Sequence, residues 1–188
     1  MQGFWVTDHN NSLVGLGYRD LARIALFAAL IAAMGLIPKF DLPFTAGVPI
    51  TVQTLGVMLA GLLLGPRNGA LSVLLFLFVV ALGAPVLSGG RGGLGIFFGP
   101  TVGFLAGWVI GAWVCGAIYA RFRFAMMACL VGGVLVVYAF GIPVMAWITG
   151  MPLSKAALVT MAFLPGDLLK AFAAAWVASK INPRALMA

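Results

Sequence analysis

The chain has 188 residues, of which 63% are hydrophobic and only 8% charged, and its mean hydropathy is +1.15. Soluble domains carry about 25% charged residues, so a water-soluble fold is excluded. Eleven Lys and Arg against four acidic residues give a net charge of +7, but the basic residues stand singly between apolar runs, so nucleic-acid binding is not expected.

Composition also argues against an enzyme. There is one His (His9), the carboxylates are Asp8, Asp20, Asp41 and Asp167, and no HExxH, CxxC or GxSxG occurs. No metal ligand set or cofactor is expected. Cys115 and Cys129 lie within hydrophobic runs and read as small apolar residues.

Residues 1–18 form a mostly polar tail without Lys or Arg, so a cleaved signal peptide is not expected; residues 19–188 read as a single all-α transmembrane domain. A span needs about 20 largely apolar residues. The first runs from Asp20 to Ile37 and carries Ala25, Ala29 and Ala33 on one stripe, fitted either to internal packing or to docking another membrane subunit. An outer connection, Pro38 to Thr54, leads to a second span, Ile50 to Gly65. Its polar opening, Thr51, Gln53 and Thr54, must be buried in protein or face a cavity.

The third span, Asn68 to Leu87, ends in the loop Pro85-Val86-Leu87-Ser88-Gly89-Gly90-Arg91-Gly92-Gly93-Leu94-Gly95. Its formal GxGxxG follows a membrane helix and not a strand, so dinucleotide binding is rejected. The glycines offer either a plain turn or a pliable cover over a ligand, with Arg91 as its cation. Into and along the fourth span, Pro100 to Ala120, runs a small-residue stripe of Gly99, Gly103, Gly107 and Gly111, fitted either to internal packing or to docking another membrane subunit. The fifth runs from Phe124 to Thr149, where Tyr138 and Trp147 are candidate walls of a site.

Ser154 to Met161 reads as a separate short segment, and Pro165 as the first turn of the sixth span, which ends near Ser179. Asp167 then lies where the helix dipole favours an anion, and Lys170, three residues on, shares its face. Ionisable groups at membrane depth cost about 2.5 to 3.5 kcal/mol each, so they pair with one another or face a cavity. Six spans place both termini on one side. Seven basic residues (Arg19, Arg23, Arg67, Arg121, Arg123, Lys180, Arg184) flank that side against three (Lys39, Arg91, Lys155) on the other, which predicts cytoplasmic termini.

Taken together, Val48-Pro49-Ile50-Thr51-Val52-Gln53-Thr54-Leu55-Gly56, Leu62-Leu63-Leu64-Gly65-Pro66-Arg67-Asn68-Gly69, Gly83-Ala84-Pro85-Val86, Gly99-Pro100-Thr101 and Pro165-Gly166-Asp167-Leu168-Leu169-Lys170 resemble the BioY family, biotin-binding S components of energy-coupling factor (ECF) transporters. The resemblance spans about residues 20 to 180. It implies a multi-pass, six-helix subunit of a prokaryotic cell membrane, surrounded by lipid, with biotin as ligand near the outer face. It also implies a transmembrane coupling subunit and ATP-binding cassette ATPases as partners, with Ala25, Ala29 and Ala33 contacting the coupling subunit. Asp167 and Lys170 match the family's aspartate and lysine; where members often carry a polar amide after the third helix, this chain has Ser88 and glycines. The expected site is Asp167, Lys170, Arg91, Gln53, Thr51, Ser88 and Tyr138, with Asp167 accepting from the ureido N–H groups and Arg91 meeting the carboxylate. The competing readings are an S component for thiamine or riboflavin and a non-transporting scaffold or channel subunit.

Overall fold

The computed structural model describes residues 17–38 and 51–181. Their architecture is all-helical: α1 (Tyr18–Met34), α2 (Gln53–Ala81), α3 (Val102–Phe122), α4 (Ala125–Ala128), α5 (Val137–Thr149), α6 (Leu153–Thr160) and α7 (Leu164–Lys180). A π-helix, Cys129–Val136, joins α4 to α5 without a break. Among the described residues, four stretches are long and apolar enough to cross a membrane: Gln53–Ala81, Val102–Phe122, Ala125–Thr149 and Leu153–Lys180.

The expected second and third spans form one helical element, α2, which is broken at Gly65 (φ 79°, ψ −177°) just before Pro66. The chain folds back there. A Cβ on Gly69 would lie 2.8 Å from the carbonyl oxygen of Ala60, whereas nine residues of straight helix span about 13.5 Å. Only glycine adopts this backbone geometry readily. The third span also ends earlier than expected, at Ala81 instead of Leu87, because Gly83 takes φ 105° and Pro85 follows. Leu87 and Arg91 then exchange backbone hydrogen bonds (3.0 and 3.1 Å) around a turn in which Gly89 and Gly90 have φ of 81° and 68°.

Packing explains the glycine stripe. Hypothetical Cβ atoms on Gly103, Gly107 and Gly111 would come within 2.5 Å of the Phe140 carbonyl, 2.9 Å of Val137 and 2.5 Å of the Gly132 carbonyl. These glycines let α3 lie against α5 and the π-helix, which is the internal-packing alternative; Gly99 lies outside that contact. In α7 the buried positions beyond Asp167 are all alanine (Ala171, Ala174, Ala178), while Leu169, Phe172 and Trp176 are exposed. A water-soluble helix would reverse that pattern, since lipid does not drive large apolar residues inward.

The two ends of the bundle differ in charge. At one end Gly116 packs on Gly65 and Pro66, and Asn68 Nδ2 donates to Asp20 Oδ1 at 2.9 Å, joining the fold-back to the start of α1. Ala178 shares a core cluster there with Phe27 and Tyr119. Arg19, Arg23, Arg67, Arg121, Arg123 and Lys180 sit on these same segments. The opposite end gathers the C-terminus of α1, the start of α2, the 82–93 loop, and the N-termini of α3 and α7.

Candidate functional site

A pocket opens at that second end. Its apolar walls come from Leu87, Phe104, Leu105, Trp108, Val137 and Phe163, and its polar groups from Thr51, Gln53, Thr54, Arg91, Thr101, Tyr138, Asp167 and Lys170. Phe104 and Phe163 meet edge to face, with ring centroids 6.4 Å apart, a favoured aromatic geometry.

Asp167 is the electrostatic centre of the pocket. Pro165 sets the first turn of α7, and Asp167 follows within that turn, 5% exposed. Its Oδ1 pairs with Lys170 Nζ at 2.6 Å, one helical turn away. Its Oδ2 accepts from the Tyr138 hydroxyl at 2.6 Å. Lys170 Nζ also donates to the Thr51 carbonyl and to Thr54 Oγ1, both at 2.8 Å. The three ammonium donors thus reach a carboxylate, a backbone carbonyl and a hydroxyl. Three elements, α2, α5 and α7, converge on one carboxylate.

The arrangement suits a ligand with a compact polar head and an apolar body. The carboxylate accepts hydrogen bonds, the hydroxyls of Thr51, Thr54, Thr101 and Tyr138 offer or accept them, and the aromatic walls take apolar surface. Arg91 brings a cation from the loop; its Nε donates to the Ser88 carbonyl at 3.2 Å.

The structure therefore brings Asp167, Lys170, Tyr138, Thr51, Gln53 and Arg91 around one space. Ser88 lies behind that wall, 1% exposed, and donates to Gln53 Oε1. Trp147 does not belong to the site: it is 83% exposed on the outside of α5. Nine residues separate it from Tyr138, which turns a helix through about 900° and places the two on opposite faces. Thr54, Thr101, Phe104, Trp108 and Phe163 were absent from the expected set. The signal for Thr54 was its place in the polar opening of the second span; the aromatic residues carried none, since their spacing is that of ordinary helix packing. Most of the expected outer connection, Pro38 to Thr54, lies outside the described residues. Ala25, Ala29 and Ala33 are exposed together along α1.

An all-helical bundle with membrane-length apolar stretches, closed at one end by a pocket holding a buried carboxylate, is the form of a membrane ligand-binding protein. The profile of the BioY family matches residues 8–186, and the chain belongs to that family. It is 50% identical over 168 residues to a biotin transporter BioY of Rhizobium etli, covering 84% of this chain and 89% of that one. It is 48% identical over 189 residues to a biotin transporter BioY of Rhodobacter capsulatus, covering 90% and 98%. A probable biotin transporter BioY of Bacillus subtilis is 47% identical over 168 residues, with 87% and 90% covered. Among solved structures, the crystal structure of the S-component for biotin from an ECF-type ABC transporter superposes with a TM-score of 0.82 at 29% identity, covering 88% of this chain and 94% of that one.

Proposed function

We propose that this chain is the biotin-capturing S component of an ECF-type uptake system, binding biotin at the outer face of the cell membrane. The observation that carries the reading is Asp167, a buried carboxylate held by Lys170 and Tyr138 at the head of an apolar, aromatic pocket. Biotin's ureido ring has two N–H donors and one carbonyl, its bicycle is apolar, and its tail ends in a carboxylate. Asp167 accepts from the ureido N–H, Lys170 is its electrostatic partner, and Tyr138, Thr51 and Thr54 complete the polar head of the site. Arg91 takes the tail carboxylate from the loop. Gln53 and Ser88 build the wall behind it.

The break at Gly65 divides α2 into two passes, residues 53–64 and 66–81. With α1, α3 and the stretches Ala125–Thr149 and Leu153–Lys180 these give six passes, with both termini on one side. The basic residues at the end opposite the pocket support the cytoplasm as that side, so the pocket faces outward. A coupling subunit and cytoplasmic ATPases supply the ATP hydrolysis, and the exposed Ala25, Ala29 and Ala33 let the coupling subunit approach α1 closely. Titration of Asp167→Asn with biotin tests the assignment. Strongly weakened binding in folded protein is expected, and unchanged affinity contradicts it.

A further inference from the structure

Gln53 spends its whole side chain on the protein. It is completely buried; Nε2 donates to the carbonyls of Ile31 (3.0 Å) and Val86 (3.1 Å). Oε1 accepts from the backbone N–H of Ser88 (2.9 Å) and from its hydroxyl (3.1 Å). A primary amide has two donor hydrogens and two acceptor lone pairs, so all four are used. Those bonds join three stretches far apart in sequence: α1 near its end, the start of α2, and the loop that carries Arg91.

The packing around this junction is equally close. A Cβ on Gly35 would collide with the Val86 carbonyl and lie 2.8 Å from Gln53 Nε2, so α1 and the loop meet with no side chain between them. Arg91 belongs to the same unit, since its backbone pairs with Leu87 in both directions and its Nε donates to the Ser88 carbonyl.

We infer that Gln53 is a positioning residue that holds the 84–91 loop, and Arg91 with it, over the pocket and ties that closed arrangement to α1. The ligand in this inference rests on the biotin reading; the staple itself is independent of any ligand. Bound biotin is then retained by an amide that has no hydrogen bond left to give it. The same α1 exposes Ala25, Ala29 and Ala33, so loop closure is linked through one side chain to the helix assigned to the coupling subunit.

Gln53→Glu tests this, because glutamate keeps the acceptors toward Ser88 and loses both donors toward Ile31 and Val86. Hydrogen exchange is measured on the purified, ligand-free full chain, and biotin binding kinetics on the same preparation. Faster exchange is expected in residues 84–91 and 35–37 with α3 and α7 unchanged, together with about tenfold faster biotin dissociation and near-constant association. If Gln53→Glu does not purify folded, Ser88→Ala, which removes one of the four bonds, decides by the same readouts with about threefold faster dissociation expected. Unchanged exchange and dissociation in a folded variant overturn the inference. So does weakened binding with unchanged loop exchange, which makes Gln53 a ligand contact. Failure of the wild-type chain to bind biotin would overturn the biotin reading alone and leave the exchange comparison to judge the staple.

Discussion

The hydroxyl of Tyr138 donates to Oδ2 of Asp167 at 2.6 Å, while Lys170 holds the other carboxylate oxygen at the same distance. The carboxylate is therefore oriented from two helices by the protein's own groups, and a group held by the fold costs less to order on binding. Tyr138→Phe keeps the ring against the pocket wall and deletes only the donor. Hydrogen bonds to charged groups contribute about 1.5–3 kcal/mol to the folded state, so the melting temperature should fall by a loss of that order, and biotin affinity should fall with it because one side of the carboxylate is no longer held, as measured by a melting curve and calorimetric titration.

On the proposed reading Asp167 and Lys170 serve both stability and binding, and a double variant separates the two roles. Removing one member of a buried pair leaves an uncompensated charge and costs about 3–5 kcal/mol, whereas replacing both by apolar groups is often neutral. Asp167→Leu alone should lower the melting temperature sharply. Adding Lys170→Met should restore much of it, while biotin binding stays lost in both. Recovery of binding in the double variant would contradict the role given to the carboxylate.

The two small-residue stripes should respond differently. Gly107 has Val137 within 2.9 Å of the position a Cβ would occupy, so Gly107→Val should overpack the α3–α5 contact and cost about 1–3 kcal/mol. Ala29 faces outward. Ala29→Leu should leave the melting temperature and biotin affinity unchanged and weaken co-purification with the coupling subunit. Equal effects on stability at both positions would remove the distinction.

Gly65 takes a conformation reserved largely for glycine, at φ 79° and ψ −177°. Gly65→Ala should destabilise the chain by about 1–3 kcal/mol, read as a lower melting temperature in detergent.

Much of the helical order was legible because bilayer thickness sets a length scale that apolar runs must meet. Pro165, Asp167 and Lys170 were legible for a further reason: proline marks a first turn, and a spacing of three places charges on one face. The fold-back at Gly65 was visible only as a gap between two spans, because a glycine-proline pair marks a stop but not the direction in which the chain leaves it. The π-helix at Cys129–Val136 has no comparable signal; Gly132 and Gly133 fit it because α3 and Met58 approach there. Ser88 and Gln53 read from sequence as polar residues on one side of the membrane, but their mutual hydrogen bonds join positions 35 residues apart. Periodicity says nothing about such pairs. Trp147 was within reach of periodicity, which places it half a turn from Tyr138.

Whether this pocket takes biotin through the Asp167 carboxylate is tested most directly by titrating the detergent-purified chain with biotin, with thiamine and riboflavin as competitors and Asp167→Asn in parallel. Tight, saturable binding of biotin is expected, which neither competitor displaces and which the variant loses. Displacement by thiamine or riboflavin, or no binding to folded protein, would contradict it.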